Sequence, residues 1–286
     1  MDWSDRNFEG RKKETAMTQV AAIQMTSGPD VAANLFEAGR LITQAAESGS
    51  KLIVLPENFY MMPMKDTDRL HEAEQIGNGH IQNFLAEAAR RHKIWLVGGT
   101  VPLTTENPEK CRSACLLFNS EGERVARYDK IHLFDVELNN SEAYTESATI
   151  EAGDKVVVVD TPFGRIGLAI CYDLRFPELF RQLSDKGAQI LVVPSSFTAL
   201  TGSVHWEVLV RARAIENQAY VLAAAQGGFH ANGRETYGDS MIVDPWGRVS
   251  NRLSRGPGVV LSQIDLDLLA GIRKNLPSLK HRRMKC

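Results

Sequence analysis

Short apolar runs rich in β-branched residues alternate with amphipathic helical stretches along most of this 286-residue chain. Residues 20–26 predict a first strand and residues 51–57 a second one. Residues 34–50, between them, predict a helix because five apolar side chains recur on one helical face. This alternation is typical of an α/β fold, in which helices cover a sheet. The five apolar side chains are Leu35, Ala38, Leu41, Ile42 and Ala45.

The middle of the chain contains hairpin signals instead. Residues 113–119 and 124–130 are two strand-like runs that a short turn joins, and residues 156–171 repeat the arrangement around Thr-Pro-Phe-Gly. Hairpins join antiparallel strands, so a purely parallel, doubly wound sheet is excluded. The sequence predicts an α/β fold with mixed β-sheets flanked by helices, formed by one domain over residues 17–286.

The composition narrows the class of partner. A hydrophobic content of 43% and a charged content of 24% are those of an ordinary globular protein. The net charge of −2 argues against a basic nucleic-acid surface, and no apolar run is long enough to cross a membrane. We therefore expect a small-molecule substrate, with no nucleic acid or membrane as partner.

The cysteines and the N-terminus bear on the compartment. Cys111, Cys115, Cys171 and Cys286 are too few and too irregular for a secreted disulfide framework, and the C-x3-C pair has no second ligand pair for zinc. Residues 1–16 carry charges throughout and have no apolar segment, so we expect a disordered extension and not a secretory signal. These features predict a cytoplasmic protein with reduced thiols and no metal.

Three apolar strands end in reactive or charged side chains. Glu57 follows LIVLP, Lys130 follows RVARYD, and Cys171 follows IGLAI. Ligands of open α/β sheets bind beyond the carboxyl ends of the strands, so the three groups could share one pocket. A carboxylate base can take the proton of an attacking thiol, and an ammonium group can stabilise the oxyanion that forms on the attacked carbonyl.

Each of these residues also has an ordinary structural interpretation. A lone cysteine is more often a small core residue than a nucleophile. Glu57 could be a solvated charge at a strand end, and Lys130 an exposed partner of Asp129. Single residues do not decide between these interpretations and catalysis.

The longer motifs around the three residues resemble those of the nitrilase superfamily of carbon–nitrogen hydrolases. Here they read LIVLPENF, YDKIHLFD and ICYDLRFPEL, in the order and approximate spacing of that family, and the similarity extends from Val20 to Arg283. The resemblance implies that Cys171 is the nucleophile, Glu57 the general base and Lys130 the lysine on the oxyanion side. It also implies an α-β-β-α sandwich, no metal or organic cofactor, and a homodimer or higher homo-oligomer.

The same resemblance implies a second, supporting glutamate between the lysine and the cysteine. Glu137, Glu142 and Glu146 are the candidates, and the YTES segment favours Glu146. A simple loop charge is the alternative.

Other segments are similar to one branch of the family, the amidases that hydrolyse deaminated glutathione. They are residues 204–226, residues 237–249 and the ending LPSLKHRR. The implied products are 2-oxoglutarate and cysteinylglycine. An ω-amidase acting on 2-oxoglutaramate or 2-oxosuccinamate is the nearest alternative, and a non-enzymatic member of the fold is an alternative of another class.

Three further residues are candidates for substrate binding. Arg175 lies four residues after Cys171 and can bind a carboxylate, or else form an ion pair with Glu178. Thr201, in a predicted loop, can contribute a hydroxyl group or be a simple turn residue. The backbone N–H of Tyr172 can be a second oxyanion donor.

Overall fold

The computed structural model describes residues 17–139 and 142–284. The predicted extension, residues 1–16, lies outside the described residues. The strands are β1 (Thr18–Gln24), β2 (Leu52–Val54), β3 (Trp95–Val97), β4 (Val101–Thr104), β5 (Cys111–Phe118), β6 (Arg124–Asp129), β7 (Asp135–Asn139), β8 (Glu142–Thr145), β9 (Val158–Thr161), β10 (Gly164–Leu168), β11 (Ile190–Val192), β12 (Tyr220–Ala223), β13 (Gly227–Phe229), β14 (Glu235–Tyr237), β15 (Ser240–Val243), β16 (Val249–Leu253) and β17 (Gly258–Ile264). The helices are α1 (Val31–Glu47), α2 (Asp68–His71), α3 (His80–His92), α4 (Pro177–Asp185), α5 (Ala199–Asn217), α6 (Leu266–Asn275) and α7 (Ser278–His281).

The strands form two large mixed sheets and two small hairpins. The first sheet has the order β17-β1-β2-β3-β5-β4, with β6 paired to β5, and the second has the order β16-β15-β12-β11-β10-β9. β1, β2 and β3 are parallel neighbours, and so are β10, β11 and β12. The two predicted hairpins, β5–β6 and β9–β10, are antiparallel as expected.

Alternate residues of β1 show how the layers pack. Val20 and Ala22 belong to the apolar cluster between the two sheets, whereas Ala21 and Ile23 belong to the cluster beneath α1 and α3. Successive strand residues point to opposite faces, so the continuous apolar run of β1 covers both sides of its sheet. On the far side of the second sheet, α4 and α5 contribute side chains such as Phe180 and Trp206. The predicted α-β-β-α sandwich is confirmed.

The described helices include none that is both long enough and apolar enough to span a bilayer. In the same part of the chain, no three His, Cys, Asp or Glu side chains are grouped as a metal ion would require.

Candidate active site

Glu57, Lys130 and Glu146 form one ion cluster at the strand ends. The Nζ atom of Lys130 lies 2.8 Å from Oε1 of Glu57 and 2.9 Å from each carboxylate oxygen of Glu146. The backbone N–H of Phe134 donates to Glu146 Oε2 at 2.7 Å and fixes that carboxylate. Lys130 is only 2% exposed and Glu57 only 4%. The ordinary interpretations of these residues as solvated charges are therefore wrong.

A close approach of two loops shapes the turn that carries Glu57. Gly99, after β3, has φ +53°, and a Cβ atom there would lie 2.1 Å from the carbonyl oxygen of Pro56. Only glycine fits such an approach. Asn58 adopts φ +57°, and its N–H donates to Thr100 Oγ1 at 2.9 Å. The sequence GGT after β3 thus holds Glu57 above the end of the first sheet.

Cys171 lies in a sharp turn beyond the second sheet. Strand β10 ends at Leu168, three residues earlier than expected, and Cys171 begins a single 3-10 turn, Cys171–Arg175. Its φ is +46°, a left-handed conformation that costs a residue with a side chain about 1–3 kcal/mol. The Cys171 N–H donates to the carbonyl of Pro194 at 2.9 Å and anchors the turn to the segment that follows β11.

A buried aspartate, Asp173, organises this turn, and sequence reasoning missed it. Its Oδ2 accepts hydrogen bonds from the Tyr128 hydroxyl at 2.6 Å and the Ile170 N–H at 2.9 Å. Its Oδ1 accepts from the N–H of His132 at 3.1 Å and lies 2.7 Å from Nδ1 of the same residue. Asp173 thereby ties the cysteine turn to the lysine segment. The available signal was its place within the CYD motif.

Asp173→Ala should lower the free energy of unfolding by roughly 3–5 kcal/mol, because several buried donors lose their acceptor at once. Tyr128→Phe is the matched control, since it removes one of these donors and should cost only about 1 kcal/mol. Urea unfolding of both variants measures the difference. Equal losses would show that Asp173 does not hold the turn.

The buried ions set the protonation of the thiol and the amine. Burial raises the pKa of Cys171 well above its ordinary value; the negative charge of Glu57 and a hydrogen bond to it add to the rise, while Lys130 opposes it. Burial alone would lower the pKa of Lys130, but Glu146 and Glu57 raise it well above its usual range. At neutral pH the site therefore holds a neutral thiol beside a charged ammonium group, so attack requires a base.

Glu57→Gln should lower the pKa of the Cys171 thiol and, because the base is lost, also abolish turnover. The substitution removes two influences that raise the thiol pKa and leaves the Lys130 charge that lowers it, so the thiolate should appear at lower pH than in the wild type. Absorbance at about 240 nm against pH, with the matching Cys171→Ser protein subtracted, measures this. A thiolate that appears at the same or higher pH would contradict the electrostatic account.

Arg175 and Tyr172 lie beside the nucleophile in the same cleft. The Arg175 guanidinium carbon lies 5.3 Å from the Phe197 ring centroid and 5.8 Å from that of Tyr172, and Nη1 lies 3.2 Å from His205 Nδ1. The ion pairs of the described residues include none between Arg175 and Glu178. The ion pair with Glu178 is therefore not formed, and Arg175 instead contacts Phe197, Tyr172 and His205.

Thr201 was placed in the wrong kind of element. It lies in the first turn of α5, which begins at Ala199, and not in a loop. Thr198 caps the helix by accepting the Thr201 N–H at 3.2 Å, and the two hydroxyl groups are 2.9 Å apart. Thr201 still lines the cleft, at its α5 wall.

One cleft contains all seven residues predicted from the sequence, with about 700 Å³ of open space, some of it continuous with solvent. Asp66, Arg69 and Arg234 also line it and were not predicted. Asp66 lies in the segment before α2, Arg69 in α2 itself and Arg234 in the β13–β14 hairpin, where no motif marks them. The remaining lining residues are Asn58, Phe134, Tyr144, Thr145, Ser196, Phe197, Thr198, Glu235 and Thr236.

A buried thiol beside a carboxylate and an ammonium group has the chemistry that a hydrolase with a covalent acyl-enzyme intermediate needs: a nucleophile, a base and a cation. The sequence model of the carbon-nitrogen hydrolase family matches residues 19–274. The chain belongs to this family, the nitrilase superfamily, whose members hydrolyse carbon–nitrogen bonds other than peptide bonds. The catalytic roles of the individual residues stay predictions.

Relatives of known name and structure agree with this membership. The chain is 44% identical to the deaminated glutathione amidase of Homo sapiens over 268 residues, which cover 92% of this chain and 82% of the human protein. It is 43% identical to the deaminated glutathione amidase of Synechocystis sp. strain PCC 6803, over 92% of this chain and 97% of that protein.

Two solved structures have the same fold. The Caenorhabditis elegans NitFhit protein has a TM-score of 0.88 and 39% identity, covering 94% of this chain and 66% of that one. Saccharomyces cerevisiae Nit3, a member of branch 10 of the nitrilase superfamily, has a TM-score of 0.84 and 33% identity, covering 94% of this chain and 97% of that one.

Proposed function

We propose that the protein is a cysteine-dependent amidase that hydrolyses deaminated glutathione to 2-oxoglutarate and cysteinylglycine, a reaction of metabolite repair. The observation that carries the proposal is the position of Cys171, buried beside the Glu57–Lys130 ion pair in the cleft that Arg175 also lines. The names of the relatives support the choice of substrate.

The first half of the reaction is acylation of the thiol. Glu57 takes the thiol proton as the Cys171 sulfur attacks the γ-amide carbon, so no thiolate has to exist beforehand. Lys130 and the backbone N–H of Tyr172 donate to the oxyanion of the tetrahedral intermediate. The C–N bond then breaks, Glu57 returns the proton to the leaving amine, and cysteinylglycine departs from a 2-oxoglutaryl thioester.

The second half is hydrolysis of the thioester. Glu57 takes a proton from a water molecule that attacks the thioester carbonyl, and the same donors stabilise the second oxyanion. The C–S bond breaks, the Cys171 sulfur regains its proton, and 2-oxoglutarate leaves. Glu146 holds Lys130 in place throughout, through its two 2.9 Å contacts with the ammonium group.

The test is a side-by-side assay of the purified protein on deaminated glutathione and 2-oxoglutaramate that follows 2-oxoglutarate release. We expect kcat/KM to be at least about tenfold higher on the first substrate, equivalent to about 1.4 kcal/mol of extra transition-state binding. A preference for 2-oxoglutaramate would assign the protein to the ω-amidases with the same chemistry. Activity on neither would refute the substrate assignment.

Arg175→Lys should raise KM for both substrates by about tenfold with little change in kcat, if Arg175 holds the 2-oxo acid carboxylate. Lysine keeps the charge but loses the planar pair of donors that binds a carboxylate bidentately. Initial-rate kinetics measure the two constants separately. Unchanged constants would return Arg175 to a packing role against Phe197.

We also propose that the protein forms a homodimer and works in a reducing compartment, the cytoplasm. Leu200, Val204 and Val208, spaced by four residues on α5, are 49–67% exposed, and such an apolar stripe favours pairing with a second copy. Light scattering of the purified protein tests the dimer. Three buried cysteines are free thiols, which favours a reducing environment.

A further inference from the structure

Two arginines and one aspartate form a charged cluster in the active-site cleft, apart from the proposed catalytic residues. Asp66 Oδ1 lies 3.2 Å from Nη2 of Arg69 and 3.3 Å from Nη2 of Arg234. Nε of Arg69 donates to the carbonyl of Asp66 at 3.0 Å. One carboxylate thus faces two guanidinium groups, which leaves the cluster one positive charge in excess. We call Arg69 and Arg234 the arginine pair.

Among the described residues, Asp66 is the only acidic side chain within ion-pair distance of the arginine pair. Glu235 also lines the cleft, but its Oε1 accepts a hydrogen bond from Nη2 of Arg255 at 2.9 Å. Glu146 and Glu57 share the single ammonium group of Lys130, so that ion cluster carries one negative charge in excess. The positive excess of the arginine pair is therefore local: a carboxylate of the substrate is attracted to these guanidinium groups and not to the negative cluster around Lys130.

The position of Arg234 is fixed before any ligand binds. It lies in the loop between β13 and β14, and its N–H donates to Oδ1 of Asn232 at 3.0 Å. Asn232 Nδ2 donates in turn to the carbonyl of Pro63 at 2.7 Å, and Nδ1 of His230 donates to the carbonyl of Ser27 at 2.9 Å. The hairpin tip is thus tied to the segment that carries Asp66. A pre-organised cation loses little entropy when it binds an anion.

The Arg234 side chain also rests on an aromatic surface at the cleft. Its guanidinium carbon lies 4.7 Å from the ring centroid of Tyr144. The other cleft arginine, Arg175, contacts Phe197 and Tyr172 beside the nucleophile. Besides Lys130, the cleft therefore offers two separate cationic groups, Arg175 beside Cys171 and the arginine pair.

The substrate of the proposed function, on which this inference rests, has two carboxylates. One belongs to the 2-oxo acid end, which stays on the enzyme as the thioester, and the other to the glycine end, which leaves. An ω-amidase substrate such as 2-oxoglutaramate has only the first. We propose that the arginine pair, through Arg234, binds the glycine carboxylate of the leaving group and thereby selects deaminated glutathione over simple oxo-acid amides.

The test crosses one substitution in the protein with one change in the substrate. Arg234→Gln and wild type are assayed on deaminated glutathione, on its glycinamide analogue, in which the leaving-group carboxylate is a neutral amide, and on 2-oxoglutaramate. Arg40→Gln is the matched control, because it removes the same charge from an exposed ion pair with Glu37 on α1 and Arg40 does not line the cleft. Thermal unfolding of each variant checks the fold.

We expect Arg234→Gln to lower kcat/KM on deaminated glutathione by about tenfold to a hundredfold, the range for a charge-assisted contact. On the glycinamide analogue and on 2-oxoglutaramate it should change kcat/KM by less than about threefold. Arg234→Lys should recover part of the loss, and Arg40→Gln should leave kcat/KM on all three substrates unchanged.

Two outcomes separate this inference from the function on which it rests. Equal losses on all three substrates in Arg234→Gln, with a wild type that prefers deaminated glutathione, would overturn the carboxylate subsite alone. A wild type that prefers 2-oxoglutaramate would overturn the proposed function and the subsite with it.

Discussion

Replacement of Cys171 by alanine should lower kcat on deaminated glutathione by at least about four powers of ten, to the limit of detection. In the proposed mechanism Cys171 is the only cleft residue that forms a covalent bond with the substrate. Loss of this nucleophile removes the acyl-enzyme route altogether. The fold should survive, because the side chain is small and the turn is held by the backbone of Cys171 and the carboxylate of Asp173. Substrate turnover and thermal unfolding measure the two effects.

Cys115→Ala is the matched control for this experiment. Cys115 is a fully buried thiol of β5 that belongs to the core between the sheets and does not line the cleft. Its loss should cost about 1–2 kcal/mol of stability through the cavity that it leaves. It should change kcat by less than about twofold. Residual activity in Cys171→Ala comparable to that of Cys115→Ala would exclude the cysteine mechanism.

Lys130→Met should reduce both activity and stability. We expect kcat to fall by about two to four powers of ten through loss of the oxyanion donor. The free energy of unfolding should fall by about 3–5 kcal/mol, because the buried carboxylates of Glu57 and Glu146 lose their only cation within hydrogen-bond distance among the described residues. Kinetics and urea unfolding check the two predictions separately.

The double variant Lys130→Met, Glu146→Gln separates catalysis from folding. Removing one of the two unpaired carboxylates should restore part of the lost stability, whereas activity should stay as low as in Lys130→Met. Activity that recovers together with stability would mean that Lys130 only holds the fold.

The sequence contained enough information for the layers and the predicted catalytic residues. The apolar runs VAAI in β1, LIV in β2 and IGLAI from Ile166 of β10 onward are continuous, and buried strands read in this way because both of their faces are covered. Contiguous motifs place Glu57, Lys130 and Cys171 directly after apolar strands. Ligands bind beyond the carboxyl ends of strands in α/β sheets, so this placement already indicated a shared site. The geometry of the ion cluster required only that these strand ends meet.

The start of α5 could not be predicted because glycine there has a packing role. Gly202 lies in the first turn of that helix, and a Cβ atom at this position would lie 2.3 Å from Cβ of Tyr237 in β14. The composition of the TALTGS segment is that of a loop, but the close packing of Gly202 against Tyr237 accommodates it as a helix. Thr198 supplies the cap that starts the helix.

The arginine pair could not be predicted for a different reason. Arg69 and Arg234 are 165 positions apart in the sequence, and neither follows a strand of the two large sheets. The short strands β13 and β14 have three residues each and no alternating pattern, so they resemble a glycine-rich loop. Only the folded hairpin brings Arg234 to Asp66.

In the proposed mechanism an acyl group passes through the sulfur of Cys171. The most direct measurement is mass spectrometry of wild-type protein that is acid-quenched from milliseconds to the steady state of deaminated glutathione turnover, followed by peptide mapping. We expect a 2-oxoglutaryl thioester on the peptide that contains Cys171. An acyl group on another residue, or full turnover with no acyl group at any quench time, would contradict this mechanism.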